Sequence, residues 1–526
     1  MAESSKFRLT YATMFDPPEE LHTGYEKAVE TMRAAAGQDH PMWIGGQDVF
    51  TSKKSEDSSP IDTSLILGTF QDGGPAEAEL AMQAAKQAAK DWGRRPWQER
   101  VALVRKAAEI IDQRVYQIAA VISLEGGKTR MEALADAAET SDLMRYACDQ
   151  MEANNGFVVE MGQDPLKGYQ ARNTSKLRPY GVWVVISPFN FPAALTGGPM
   201  GAALIAGNTV VYKPAEVTPW TSRLLAECFR DAGFPDGVVN YVTGRGSVVG
   251  QALIDNPLTD GVTFTGSVDV GMGIYRSFAA GRYPRPTILE MGGKNPAVVS
   301  RNADLERAVQ GLYRSAFGNQ GQKCSAASRI YVEEPVYEEL LAKLAEVTRG
   351  LNIGDPTRKE VFLGPVVNQS AYESFKGYTE ELSQAGEFVT GGKVLTEGEL
   401  GKGYFCEPTI AANVPLEHRL WKHEMFLPIT MVHKIKNLEE GMALANDVDF
   451  GLTAGFYGAP DEAQWFFENI EAGVTYANRP QGATTGAWPG FQPFGGWKGS
   501  GSTGKNAGGH YYVQEYMREQ VNTVIE

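Results

Sequence analysis

The sequence predicts an α/β protein of more than one domain, built around parallel sheets. Three observations predict it. The chain has 526 residues, more than one compact core usually holds. Short apolar, β-branched runs such as Val182–Ile186 and Thr209–Tyr212 alternate with helical patterns, as in βαβ units. A second α/β pattern then starts near Leu305 and runs to about Asn478.

Taken in order, the polar segment Thr51–Pro60 reads as a mobile surface loop. From Ala76 to about Tyr146 apolar residues recur at helical spacing, as in Val101, Val104, Ala108, Ile111, Val115 and Ile118, which predicts two or three amphipathic helices. Val182–Ile186 suits a buried strand, as does Thr209–Tyr212. Thr218 and Pro219 then read as an N-cap and a first-turn proline, opening a helix that places Trp220, Leu224 and Cys228 on one face and stops at Gly233. Further strands are expected at Val238–Val242, Val262–Thr265 and Ala297–Ser300, and a helix follows from Leu305 through Val309, Leu312 and Ala316. Ligands of parallel sheets gather at the carboxyl ends of strands, where Ser187, Lys213 and Gly266 fall.

Composition narrows the function classes. Hydrophobic content of 43% with 21% charged residues supports sizeable cores. Acidic residues outnumber basic ones 64 to 49, and the net charge of −15 with no basic patch argues against nucleic acid and anionic membranes as partners. Cys148, Cys228, Cys324 and Cys406 are scattered, without the spacing of a zinc site or a disulfide framework, so no metal is expected. No signal-like or membrane-length apolar stretch occurs, and a cytoplasmic location is expected.

Three segments carry chemistry. Asn319-Gln320-Gly321-Gln322-Lys323-Cys324-Ser325-Ala326 sets a cysteine in polar surroundings beside a cation, which is expected to lower its pKa. The bland reading, a structural thiol, suits Cys228 in its apolar helix face far better. Leu289-Glu290-Met291-Gly292-Gly293-Lys294 ends a strand-like run in a carboxylate that can act as a base towards water, or merely as a solvated Glu. Pro188-Phe189-Asn190-Phe191-Pro192 sets an amide between aromatics, either an oxyanion donor or an ordinary turn residue.

Together these segments resemble the aldehyde dehydrogenase superfamily from about Trp43 to the C-terminus. The resemblance implies a Rossmann-type NAD-binding domain from residues 1–160 and 180–289. It also implies an α/β catalytic domain over 290–480 and small oligomerisation segments at 161–179 and 490–526. By the family motifs, Cys324 is the nucleophile, Glu290 the general base and Asn190 part of the oxyanion hole. Lys213 and Glu216 look like the pair that holds the adenosine ribose, with Ser187 close by. Gly266-Ser267 resembles the turn that contacts the pyrophosphate, with Gly271 where a small residue is expected. Glu424 and Phe426 of Glu-Met-Phe-Leu-Pro match the residues at the nicotinamide riboside, although Leu427 replaces the family's Gly. NAD is the implied cofactor.

A second pattern, Gly499-Ser-Gly-Ser-Thr-Gly-Lys505, matches a phosphate loop but has Asn506 where magnesium needs a hydroxyl. It fits the family's P-F-G-G-x-K-x-S-G signature better, from Pro493 to Gly501. Within the superfamily the likeness is to 1-pyrroline-5-carboxylate dehydrogenases, which oxidise glutamate γ-semialdehyde in proline breakdown. Gln322–Ala326, the loop Thr485-Gly486-Ala487 and the tail Gly508–Tyr512 carry it. Substrate contacts would then fall on Phe191, Lys323, Ser325, Gly486, Ala487 and Phe494, with Glu139 near the substrate's ammonium. Rival readings are a dehydrogenase for another acidic semialdehyde, such as succinate or aminoadipate semialdehyde, and a silent structural paralogue. The resemblance also implies a homodimer or a multiple of dimers.

Overall fold

The computed structural model describes residues 17–165, 167–483 and 488–525. Two seven-stranded sheets organise them. In the first, Thr287–Glu290, Gly261–Thr265, Val182–Ile186, Thr209–Lys213 and Val239–Tyr241 lie side by side in that order and run parallel. The antiparallel strands Met42–Ile44 and Gln47–Val49 extend it. The central strands are buried almost throughout, which is why they read as unbroken apolar runs. Chain order moves from Val182–Ile186 first to one side and then to the other. Such a reversal opens a crevice at the strands' carboxyl ends, and Ser187 and Gly266 stand there.

The second sheet has the order Glu387–Thr390, Thr409–Ala412, Ile429–Ile435, Ala327–Glu333, Asn295–Val299, Thr453–Tyr457 and Val474–Ala477. Only Glu387–Thr390, at the edge, runs antiparallel. A third sheet is small. Met517–Ile525 pairs antiparallel with Ala171–Pro179 along its whole length, and Val158–Glu160 flanks that pair.

Several sequence expectations change. The helical region resolves into four helices, Pro75–Arg94, Trp97–Gln113, Val115–Gly126 and Arg130–Ala153, broken at Pro96, Arg114 and a left-handed Gly127 with φ 74°. Thr51–Pro60 is not a loop throughout: Lys54–Ser58 pairs antiparallel with Ile66–Gln71 and buries Asp57. Its other side chains face water, so the strand left no apolar signal. An unanticipated first helix, Glu19–Ala34, packs through Leu21, Tyr25, Ala28, Val29 and Met32.

Thr218 does precede the helix Pro219–Ala232, and Gly233 does end it, but the Thr218 hydroxyl caps nothing. The buried Glu125 takes that role. Its carboxylate accepts from the Trp220 amide at 2.5 Å, the Thr221 amide at 3.0 Å and the Thr221 hydroxyl at 2.7 Å. An anion held against the first free amides of a helix satisfies both their hydrogen bonds and the helix dipole.

Candidate active site

Cys324 lies just before the central strand Ala327–Glu333 of the second sheet. The chain reaches it from the helix Leu305–Phe317 through Gly318–Gly321, where Asn319 and Gln320 adopt left-handed φ values of 50° and 56°. Asn295 Nδ2 donates to the Cys324 carbonyl at 2.6 Å and to that of Ala326 at 2.9 Å, fixing the turn. The side chain is 9% exposed and clusters with Leu143, Ala194, Leu452, Val474 and Phe494.

This environment corrects the expectation of a thiol acidified by its neighbour. Burial pushes the Cys324 thiol up, and the charges of Glu290 and Glu424 push it the same way, against the pull of the Ser325 and Cys324 amides. Lys323 instead turns its ammonium to Glu132, 3.5 Å from Oε1. Deprotonation of Cys324 therefore needs a base or a change in local charge, and a carboxylate stands close enough to repel the thiolate.

That carboxylate, Glu290, ends the strand Thr287–Glu290. The strand's backbone is braced from far along the chain. Leu289 N donates to Ser502 Oγ at 2.9 Å, Met291 N donates to the Ser500 carbonyl at 2.9 Å, and Ser500 Oγ donates to the Gly292 carbonyl at 2.7 Å. The phosphate-loop pattern at 499–505 is thus spent on bracing, and no helix follows Lys505 directly, the next being the short 3-10 turn Val513–Tyr516. Glu290 Oε1 is buried without a hydrogen bond among the described residues, and burial raises the carboxyl to about 8. Once ionised, such a group is a far stronger base than an ordinary carboxylate.

Asn190 and Phe191 follow the strand Val182–Ile186 and are both buried. Ser325 is buried beside Cys324, and Phe494 belongs to the apolar cluster around the thiol, held by paired backbone bonds to Ala507 at 2.9 and 2.8 Å. Glu139 is buried on the helix Arg130–Ala153 and is not a surface glutamate. Gly486 and Ala487, with Thr485, lie outside the described residues.

At the crevice of the first sheet, Ser187 Oγ is buried and has no partner among the described residues, which fits a polar ligand there. Among the described residues Lys213, which is buried, donates only to its neighbouring Pro214 carbonyl at 2.7 Å, and it is lowered to about 8 by burial against the opposing charge of Glu216. Glu216 is exposed, and its Oε1 accepts from the Gly246 amide at 2.7 Å. Gly266 and Ser267 lead directly into the helix Val268–Ala279, whose free amides suit an anion. A side chain at 266 would meet the Phe264 ring at 2.5 Å, and one at 271 would meet Met291 Sδ at 2.5 Å, so glycine keeps this turn close to the sheet.

Glu424 reaches the glycines after Glu290: its Oε1 accepts from the Gly293 amide at 2.7 Å, and burial raises its carboxyl to about 7. Phe426 meets Phe189 edge-on at 5.8 Å. The left-handed residue of this turn is Phe426, with φ 56°, so Leu427 stands there without needing glycine's freedom.

Two buried residues that sequence reasoning passed over also belong here, Lys128 and Asp136. Lys128 Nζ donates to the Asn190 carbonyl at 2.7 Å and pairs with Asp136 at 3.1 Å. The signal available was Gly126-Gly127-Lys128, a glycine pair that ends one helix and delivers a lysine before the next.

A nucleophile, a nearby basic carboxylate, an amide and a dinucleotide-type crevice can together support covalent oxidation of a carbonyl compound. The model of the aldehyde dehydrogenase family matches residues 49–522. A curated 1-pyrroline-5-carboxylate dehydrogenase from a Geobacillus species is 38% identical over 512 residues, covering 95% of this chain and 96% of that protein. The solved structure of Thermus 1-pyrroline-5-carboxylate dehydrogenase with bound NAD is 34% identical with a TM-score of 0.92, over 100% of both chains. Proline utilization A from Bdellovibrio bacteriovorus is 33% identical with a TM-score of 0.91, covering 96% of this chain and 52% of that one.

Proposed function

Because this chain belongs to the aldehyde dehydrogenase family, we propose that it oxidises L-glutamate γ-semialdehyde, the open form of 1-pyrroline-5-carboxylate, to L-glutamate with NAD, in proline degradation. The observation that carries this reading is the whole-length likeness to 1-pyrroline-5-carboxylate dehydrogenases on both the sequence and the structural comparison.

The residues divide the work as follows. Ser187, Lys213, Glu216, Gly266, Ser267, Glu424 and Phe426 would hold the cofactor, and the free amides that open the helix Val268–Ala279 would suit its phosphates. NAD, when bound, accepts the hydride released from the substrate carbon. The Cys324 thiol loses its proton to a base, and its sulfur adds to the aldehyde carbon to give a thiohemiacetal. The amide of Asn190 donates to the oxygen that becomes negative. Loss of the hydride leaves a thioester on Cys324. Glu290 then takes a proton from water as the water attacks, and the acyl carbon leaves as the carboxylate while the thiol is restored.

Phe191 and Phe494 enclose the substrate's methylenes, and Ser325, Lys323, Gly486 and Ala487 bind its far polar end, with Glu139 near the ammonium. The first seven-stranded unit serves as the NAD-binding domain, over 1–160 and 180–289, and the second as the catalytic domain, over 290–480. The exposed apolar residues Val158, Val159, Val521, Val524 and Ile525 on the three-stranded sheet support an oligomerisation role for 161–179 and the end of 490–526, as a homodimer or a multiple of it. No helix among the described residues is long and apolar enough to cross a membrane, and a cytoplasmic site of action is part of this reading.

The test is a ranking of kcat/KM with NAD. Glutamate γ-semialdehyde should exceed succinate semialdehyde and propanal by roughly tenfold, the discrimination that one methylene and one polar contact supply. A tenfold advantage for succinate semialdehyde would remove this substrate and leave the family assignment standing.

A further inference from the structure

We propose that Lys128, locked by Asp136, is a positioning residue that aims Asn190 and Phe191 at the substrate carbonyl, a role that rests on the oxyanion reading of Asn190 above. Lys128 is 1% exposed and Asp136 0%. The Lys128 ammonium lies 3.1 Å from Asp136 Oδ2, donates to the Asn190 carbonyl at 2.7 Å and sits 3.7 Å from the centroid of the Phe191 ring. Asp136 Oδ1 accepts from the Ala194 amide at 2.8 Å. One ion pair therefore grips the turn at both ends, Lys128 at Asn190 and Asp136 at Ala194.

The grip matters because the turn has little of its own. Pro192 has no amide to donate, and Ala194 starts the helix Ala194–Ala206, so the sheet ladder ends before Asn190 and the helix ladder begins after it. The carbonyl that Lys128 holds belongs to the peptide joining Asn190 to Phe191. Turning that peptide turns both side chains, one being the oxyanion donor and the other the wall of the substrate channel. Oxyanion donors lose their effect when displaced by a fraction of the hydrogen-bond length.

A merely stabilising pair would be an odd choice in this place. Burial of two charges costs much of what their attraction returns, and apolar replacements are commonly as stable. Here every partner is used: the lysine meets a carboxylate, a carbonyl and a ring face, and the aspartate meets an ammonium and a helix amide. The ion pair thus sets a geometry, and its loss is read in kcat before it is read in folding.

The experiment is a cycle between the double substitution Lys128→Met with Asp136→Asn and the substitution Asn190→Ala. Removing both charges avoids stranding a buried carboxylate, and the side-chain amide oxygen left at position 136 would still accept from the Ala194 amide. We expect K128M/D136N to lower kcat roughly tenfold to a hundredfold, with a smaller change in aldehyde KM and NAD binding within about twofold. In the Asn190→Ala background the same pair of changes should lower kcat by less than about threefold, because the donor it aims is gone. Equal losses in both backgrounds, or an unchanged kcat, would overturn the proposal while leaving Asn190 in its role. An unchanged kcat in Asn190→Ala alone would remove the oxyanion reading and this proposal together. Should K128M/D136N fail to fold, Lys128→Arg keeps the cation and shifts its donors: a fall in kcat with intact NAD binding supports the proposal, and full activity overturns it.

Discussion

Glu424 stands directly over Gly292: a side-chain carbon at position 292 would lie 2.1 Å from its Oε2. The obstacle is the tip of a flexible side chain and the 292 backbone is not left-handed, so Gly292→Ala should leave the fold intact and push Glu424 aside. With Glu424 as a cofactor ligand, the expected result is a rise of about tenfold in KM for NAD, the equivalent of one charged hydrogen bond, at little cost in thermal stability. An unchanged KM for NAD would take Glu424 out of the cofactor site.

With Cys324 as the nucleophile and not a cofactor ligand, Cys324→Ala should abolish NADH formation from any aldehyde and leave NAD binding nearly intact. Turnover above about a thousandth of wild type, measured with excess enzyme, would count against Cys324 as the nucleophile.

Glu290 holds its proton up to about pH 8 because burial penalises the charged form. The base form therefore accumulates as pH rises, and the steady rate that follows the first burst of NADH should climb with pH and level off above about 8. Glu290→Gln should keep the burst and flatten that limb, which stopped-flow traces across the range would reveal. Linkage has the opposite sign: the raised carboxyl contributes stability that is full below its usual 4.5 and is lost as pH rises through about 8.

Glu125→Ala should destabilise the protein by about 3 kcal/mol, because it strands two buried amides at the start of the helix Pro219–Ala232. Burial raises this carboxyl, and burial and the charge of Glu125 raise the neighbouring Asp57 well above the usual carboxylate range. Urea unfolding of the variant near neutral pH is the check, and a loss below about 0.5 kcal/mol would return the cap to solvent or to Thr218.

The strands Val182–Ile186 and Thr209–Lys213 were legible because burial on both faces writes itself as an unbroken apolar run. Lys54–Ser58 was not, since an edge strand with one buried side chain has no such run. Cys324, Glu290 and Asn190 stood out by their motifs, but the electrical setting of the thiol did not. Lys323 is adjacent in sequence and points to Glu132, whereas Glu290 and Glu424 are distant in sequence and set the thiol's acidity. Glu125 under residues 220 and 221, and Asp136 on Lys128, follow the same rule: partners that meet only through tertiary packing leave no local pattern.

The brace that Ser500 and Ser502 place on Leu289–Gly292 has a consequence for how the enzyme comes into being. The strand that ends in Glu290 leaves the ribosome long before the residues that secure it. A nascent chain halted short of Ser500 already carries its thiol, its crevice strands and the pairing of Thr287–Glu290 with Gly261–Thr265, yet the far side of Leu289–Gly292 lacks its serine ties. Competence at this centre thus waits for the segment that carries Ser500 and Ser502, which also brings Ala507, Tyr512, Val513, Tyr516 and Met517 into the main core.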